Sequence, residues 1–377
     1  MSLYPMSLYR RLITLLTLLC LTLPATLLAV DSIEDRATLD TRWRSGTWAE
    51  RAAELNALAR DDQPRFRREL RAVMSAAATD PAMQDRLMMQ AALSLLAAAR
   101  DAEGRRLLTE MSALASRSMT LHEDGGHRIP VPYADPGAAA RSVLRSWDRF
   151  DARDASLAAM VRGTDALAPL ANSGGLRADR IRGIELAFDM ATTAELSVQR
   201  EAVRAALMTD ATITGIAARL ALRTADVQLA REVIEYGTGR AQLDLALGLR
   251  DSFNAIQTTE LLIAATAQPA IASAAVLQLG LLTTGSTTAR DRLLGLLPDT
   301  TLGGSAAQAL ATNMDATTLS ALSAVLDRGV DDLGTRRAIL TLRLSEHPSA
   351  TSILSGFVLN PNAPEALRQE VASWIGE

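Results

Sequence analysis

The chain has 377 residues, of which 48% are hydrophobic and 3% aromatic, and its formal net charge is -4 at pH 7. All of its basic residues are arginine, and Cys20 is its single cysteine. A mildly acidic chain has no overall positive electrostatic field that would attract nucleic acid. A single cysteine excludes an intramolecular disulfide. Abundant Ala and Leu with few aromatic residues indicate close-packed helices of small residues.

Residues 1–29 have the pattern of a targeting signal. Arg10 and Arg11 precede a long apolar run, and the run gives way to acidic residues after Ala29. We therefore expect an exported protein, periplasmic or secreted, from which Cys20 is removed with the signal. The apolar stretch covers 19 residues, which is near the minimum for a membrane span, so an uncleaved inner-membrane anchor is the alternative.

Residues 30–117 are predicted to form an N-terminal helical region. Asp80-Pro81, like Asp135-Pro136 further on, places an N-cap before a first-turn proline and predicts a helix start. Trp43 and Trp48 lie among arginines, and these residue types are enriched at interface hot spots. The alternative is that both indoles cover the exposed end of the first repeat.

Residues 118–134 interrupt the helical pattern and predict an inserted β-hairpin. The segments SMTLHE and HRIPVPY flank Asp124-Gly125, a dipeptide preferred in type I′ turns. Ile129, Val131 and Tyr133 alternate on one face. Pro130 and Pro132 are two residues apart, so we expect their missing N–H groups to face the outer edge of the strand.

The hairpin holds two of the three histidines, His122 and His127. With Asp124-Gly125 as the loop, Glu123 pairs with Gly126 and the two histidines face each other across the strands. Two imidazoles so placed could share a metal, but Glu123 would point to the opposite face and Asp124 would lie in the turn. With Asp124-Gly125-Gly126 as the loop, the pairing is lost. We expect no metal or cofactor, with His122 and His127 as the only candidate ligands.

The rest of the sequence offers no constellation for bond chemistry. It has no Ser-His-Asp spacing, no Gly-rich phosphate loop and, once Cys20 is removed, no nucleophilic thiol. The third histidine, His347, precedes Pro348 at a helix end, where we expect it to cap the helix. The sequence therefore favours a protein that is not an enzyme.

Residues 135–210 read as irregular helical repeats and residues 211–377 as regular repeats with a period of 32. Apolar residues recur at this spacing in columns, which predicts two helices in each unit. The first pair of columns contains Leu229, Leu261, Leu293, Val325 and Phe357 with Ala230, Leu262, Leu294, Leu326 and Val358. The second pair contains Leu243, Ala275, Ala307 and Ile339 with Ala246, Gln278, Leu310 and Leu342.

Through this period and these apolar columns, residues 211–377 resemble the short HEAT-like repeats named after phycobilisome lyases. The period is shorter than that of tetratricopeptide repeats, whose aromatic signature positions are also missing. The resemblance implies an all-α fold, a right-handed α-solenoid of helix pairs, here with one inserted β-hairpin. Lyase activity is not implied, because this repeat serves as a scaffold in many unrelated proteins.

These patterns predict an exported scaffold or adaptor in the bacterial envelope, which binds a protein, peptide or extended polymer and no nucleic acid. A stacked array of helices offers a long surface, and a non-helical insertion in such an array is a candidate contact element. One alternative is a metal-dependent enzyme or metal-binding protein centred on His122 and His127, and another is a structural protein tethered by its N-terminal segment. The candidate contact residues are Leu121, His122, Asp124, His127, Arg128, Ile129, Val131, Tyr133, Trp43 and Trp48.

Overall fold

The computed structural model describes residues 33–171 and 174–375. The predicted targeting signal, with Cys20, lies outside the described residues. Those residues form twenty α-helices, four short 3-10 helices and one two-stranded sheet. The prediction of a mostly helical protein is confirmed. Within the described ranges, no helix combines the length and the apolar character that a membrane crossing requires.

The chain divides into two compact units between Trp147 and Asp148. The first unit contains five helices and the sheet. The helices are α1 (Arg36–Ser45), α2 (Thr47–Asp61), α3 (Gln63–Ser75), α4 (Pro81–Ser94) and α5 (Ala102–Ser112), and the strands are β1 (Met119–Asp124) and β2 (His127–Pro132).

Helix α4 is the centre of the first unit, since it packs against α1, α2 and α3. It begins where predicted, because the Asp80 carboxylate accepts a hydrogen bond from the N–H of Met83 at 3.3 Å. The indole of Trp147 is fully buried and donates to the carbonyl of Leu95 at 3.1 Å, which closes the core.

The hairpin is present, with a turn one residue later than predicted. Asp124 pairs with His127, and the turn consists of Gly125 and Gly126, whose φ angles of 56° and 86° are those of a type I′ turn. The prolines explain the correction. With Asp124-Gly125 as the turn, Pro130 would occupy a hydrogen-bonded position opposite Met119, where its missing N–H would break the ladder.

Helix α6 (Pro136–Val161) runs through the division between the units, and its first turn is capped by Asp135, as predicted. The second unit contains fourteen further helices. They are α7 (Arg177–Met190), α8 (Thr193–Val198), α9 (Arg200–Leu207), α10 (Thr214–Thr224), α11 (Val227–Tyr236), α12 (Gly239–Ser252), α13 (Ala255–Ala265), α14 (Ala272–Gly280), α15 (Thr287–Leu296), α16 (Gly303–Thr312), α17 (Ala316–Leu326), α18 (Leu333–Leu344), α19 (Pro348–Leu359) and α20 (Glu365–Ile375).

Packing in the second unit joins helices that are two apart along the chain. Helix α10 packs against α12, α12 against α14, α14 against α16, and α16 against α18. Helices α11, α13 and α15 form a second such series, and α17 packs against α19. Each of these helices also contacts at least one of its neighbours in the sequence, so α10 to α19 share a common core.

Most residues of the predicted apolar columns are buried in this core, and four of them, Leu243, Leu294, Val325 and Val358, are half-buried and pack against it. In the first column, Leu229, Leu261, Leu293 and Phe357 are buried and Val325 is half-buried. In α12, Leu243 is half-buried, and the buried residues are Gln242, Leu245, Ala246 and Leu249. The spacing between α12 and α14 is therefore shorter than the sequence period, because a single period cannot describe helices joined by loops of different length.

The second helix of each pair starts with a side-chain cap. His347 Nδ1 accepts from the N–H of Ser349 at 3.2 Å, which is the capping role expected of this histidine. The other caps at corresponding positions are Asp226, Asn254, Ser286 and Asp315. A cap satisfies an N–H group that the helix leaves without a partner, so each helix start is fixed locally.

Candidate interaction site on the β-hairpin

The outer part of the hairpin is the most exposed segment among the described residues. Residues 121–130 are all exposed, which is the longest uninterrupted exposed run within the described ranges. It includes two apolar side chains, Leu121 and Ile129, which are 42% and 47% exposed. Apolar residues held in water at the end of a hairpin have no role in the core, so this segment is a candidate contact surface.

The two faces of the exposed tip carry different sets of side chains. Paired residues in an antiparallel ladder lie on the same face, and the register therefore places His122, Asp124, His127 and Ile129 together. The opposite face carries Leu121, Glu123, Arg128 and Pro130. On that face Arg128 Nε donates to Glu123 Oε1 at 3.3 Å across the strands. Both side chains are well exposed, so this pair contributes at most about 1 kcal/mol.

The predicted pairing of the two histidines does not occur. His122 lies opposite Ile129, and His127 lies opposite Asp124. Among the described residues, no three His, Cys, Asp or Glu side chains are grouped to hold a metal ion.

The start of the hairpin is fixed by a buried ion pair. Asp85, on α4, is completely buried, and it accepts hydrogen bonds from the Arg117 backbone N–H at 2.7 Å and from Arg117 Nε at 2.9 Å. Burial raises the pKa of the Asp85 carboxyl, and the bonds from Arg117 oppose that rise. Arg117 lies two residues before β1, so α4 holds the chain just where it enters the hairpin.

The end of the hairpin is fixed by the next residue of α4. The Arg86 guanidinium lies 4.7 Å from the centre of the Trp43 ring and 5.4 Å from that of Tyr133, which follows β2. Arg86 Nη1 also contacts Asp40 Oδ1 at 2.5 Å, and Tyr133 Oη donates to the same oxygen at 3.0 Å. One arginine thus joins α1, α4 and the end of the hairpin.

The pKa values of this cluster follow from its contacts. Partial desolvation raises the pKa of Asp40, but the hydrogen bonds from Arg86 and Tyr133 outweigh it, so the net pKa is lowered. Desolvation and the hydrogen bond to Asp40 raise the pKa of Tyr133. The carboxylate is therefore charged and the phenol neutral at physiological pH, which keeps the cluster intact there.

A short N-terminal segment lies along the outer edge of β1. Ile33 forms an isolated parallel bridge with Met119, and the N–H of Glu34 donates to the carbonyl of Met119 at 3.2 Å. The Glu34 carboxylate is ion-paired with Arg42, which lies 3.4 Å from a carboxylate oxygen of Asp80. The base of the hairpin is therefore held by its two ends and by one edge.

The candidate contact residues fall into two groups. Leu121, His122, Asp124, His127, Arg128 and Ile129 lie on the exposed tip. Val131, Tyr133 and Trp48 are half-buried, and Trp43 is only 5% exposed, so its indole offers a partner almost no surface. These four belong to the base of the hairpin or to the core beside it.

Sequence reasoning missed Asp85, Arg86, Asp40 and Arg117, which hold the base in place. The available signal was weak. Asp85 and Arg86 are the two charges of the otherwise uncharged segment MQDRLMMQAALSLL, and charges inside a largely apolar helix require partners. The identity of those partners could not be read from spacing, because they lie 32 to 47 residues away in the chain.

Comparison with known proteins yielded no relative. No family model matches the chain, and neither the curated proteins nor the solved structures contain a significant match.

Proposed function

We propose that this protein is an adaptor or scaffold of the bacterial envelope that binds a protein or another extended polymer through the tip of its β-hairpin. The observation that carries this proposal is the contrast between the two parts of the hairpin. Its base is held by the Asp85–Arg117 pair and by the Asp40–Arg86–Tyr133 cluster, whereas residues 121–130 are all exposed. A tip that is already positioned loses little conformational freedom when it binds.

We further propose that the second unit is a right-handed α-solenoid of HEAT-like helix pairs. Three features support this proposal: the sequence period, the contacts between helices two apart in the chain, and the caps that recur at the second helix of each pair. Solenoids of this type serve as scaffolds, because stacked pairs create an extended surface. The unit would then supply a further surface for the same assembly.

The proposal places the protein outside the cytoplasm, as residues 1–29 suggest, and assigns it no catalytic activity. Its acidic balance and the mixed charges of the tip favour a protein or peptide partner over nucleic acid.

The test is capture of the tagged protein from its native envelope, with co-purifying proteins identified by mass spectrometry. The informative variant lacks residues 121–124 and 127–130, so that Gly125-Gly126 connects Thr120 to Val131. Thr120 and Val131 form a hydrogen-bonded pair, as Asp124 and His127 do at the native turn. The shortened hairpin therefore retains its turn and its base. The expected result is a partner that wild type retains and the shortened variant loses.

A matched control replaces two apolar side chains elsewhere in the first unit. Leu93 and Leu96 are each 41% exposed, close to the exposure of Leu121 and Ile129. Leu93→Ser combined with Leu96→Ser should leave the partner bound. Recovery of the same partner by the shortened variant, or of none by wild type, would contradict the adaptor proposal.

A further inference from the structure

The hydrogen bonds around the hairpin establish which backbone groups point outward. The N–H of Tyr133 donates to the carbonyl of Ser118 at 3.1 Å, so these two residues form a bonded pair. Bonded and non-bonded pairs alternate in an antiparallel ladder, so Met119, Leu121 and Glu123 direct their N–H and C=O groups away from β2. The bond from Glu34 to the outward carbonyl of Met119 agrees independently with this assignment.

The outer edge of β2 is unsuited to another strand. Its outward positions are Arg128, Pro130 and Pro132. Both prolines lack an N–H group, so Arg128 is the only outward donor on this edge of the strand. Prolines on an exposed edge prevent pairing with other chains, as native sheets require of edges that remain unpaired.

The outer edge of β1 has no such protection beyond Met119. The covering segment stops after Glu34, because Asp35 caps α1 by accepting a hydrogen bond from the N–H of Thr38 at 3.0 Å. Leu121 and Glu123 therefore present two N–H and two C=O groups that no other part of the described chain covers. The edge accepts strand pairing at its base and is open at its tip.

We infer that the open edge of β1, at Leu121 and Glu123, binds an extended segment of a partner protein by strand addition. This inference rests on the proposed function and specifies how the tip recognises its partner. Main-chain hydrogen bonds give such additions their affinity, and alternate side chains give them their specificity.

The side chains beside the edge define the chemistry of the incoming segment. Leu121 supplies an exposed apolar contact on one face. On the other face, Asp124 is exposed and forms no ion pair within the described residues, whereas Glu123 is paired with Arg128. The segment therefore carries an apolar residue and a basic residue three positions apart, on opposite faces, and no proline where it bonds with β1.

Substitutions to proline distinguish binding through the backbone N–H groups of the edge from binding through its side chains. Leu121→Pro removes one outward N–H at a position where the hairpin itself does not use it, as Pro130 and Pro132 already demonstrate on β2. Leu121→Val keeps both the N–H and an apolar side chain. Pro132→Ala adds an N–H group to the opposite edge and leaves Leu121 and Glu123 unchanged, so it serves as the control.

The probe is a phage-displayed library of nine-residue peptides selected on the purified full chain. Affinities of the synthetic peptides are then measured by fluorescence polarisation. Selected peptides should bind wild type, Leu121→Val and Pro132→Ala within about twofold, and Leu121→Pro about tenfold more weakly. Failure to select any peptide, or equal binding to Leu121→Pro, would overturn the inference.

The two proposals fail in different ways. An envelope partner that is lost on shortening the hairpin but retained by Leu121→Pro would leave the adaptor function standing and refute strand addition. Selected peptides that depend on the Leu121 N–H, with no partner recovered from the envelope, would support the edge and count against the adaptor function.

Discussion

The buried ion pair at the base of the hairpin allows a prediction about two substitutions that remove the same interaction. The side chain of Asp85 is completely buried, whereas 37% of the Arg117 side chain is exposed. In Asp85→Ala, the guanidinium can turn into water. In Arg117→Ala, the carboxylate stays buried and keeps only the backbone N–H of residue 117 as a partner.

The two substitutions should therefore lower the free energy of unfolding by different amounts. An uncompensated buried charge destabilises a protein by about 3 to 5 kcal/mol, which is the expectation for Arg117→Ala. Asp85→Ala loses charge-assisted hydrogen bonds but also removes the cost of burying the carboxylate, so we expect about 1 to 2 kcal/mol. Arg117→Ala should be the more damaging change.

The pH dependence of Arg117→Ala follows from the same contacts. Burial already raises the pKa of Asp85, and the substitution removes the bonds that oppose this rise. A carboxyl whose pKa is higher in the folded state stabilises the fold at low pH and loses that contribution as pH rises through the folded pKa. The stability that Arg117→Ala loses relative to wild type should thus be larger at pH 7.5 than at pH 5.

Urea unfolding followed by tryptophan fluorescence is the appropriate assay. Trp43, Trp48 and Trp147 lie in the first unit, so three of the four indoles report on it. Arg128→Ala, which removes an exposed ion pair, is the control and should cost less than about 1 kcal/mol. The reasoning would be refuted if Asp85→Ala cost as much as Arg117→Ala, or if the deficit of Arg117→Ala did not depend on pH.

Three further predictions concern packing and capping. Gly104→Ala places a Cβ 2.9 Å from the buried Trp147 ring and should lower stability by about 1 to 3 kcal/mol in the same urea assay; unchanged stability would mean that the ring can shift. Leu261→Ala should cost about 2 to 5 kcal/mol in thermal unfolding, whereas Ile256→Ala, at a side chain 74% exposed, should cost well under 1 kcal/mol; equal losses would contradict the predicted core column. Asp332→Ala should cost about 1 kcal/mol at pH 7, and the difference from wild type should shrink as pH falls below 3.8, because backbone hydrogen bonding lowers the pKa of this cap; an acid titration of stability in which the difference persists would contradict the capping role.

The position of the hairpin turn depends on two prolines that lie outside the turn itself. The segment Asp124-Gly125-Gly126-His127 permits more than one turn, and turn preference alone favoured Asp-Gly. Pro130 and Pro132 exclude the Asp124-Gly125 turn, because it would put both prolines at positions that must donate across the ladder, whereas the Gly125-Gly126 turn puts both at positions that do not. Moving the turn by one residue changes every cross-strand partner and exchanges bonded for non-bonded positions, so this choice also decided that His122 lies opposite Ile129 and not opposite His127.

The sequence by itself determined the helical class, the apolar columns of the second unit and the presence of a hairpin, because periodic burial and turn chemistry act over a few residues. Only the tertiary structure decided how the hairpin is held. Asp40 and Tyr133 are 93 residues apart, and Asp85 and Arg117 are 32 apart. Such pairs form only when α1 and α4 pack together beside the hairpin, and no spacing along the chain encodes that arrangement. The open edge of β1 likewise depends on where the segment at Ile33 and Glu34 comes to lie, which packing and not local sequence determines.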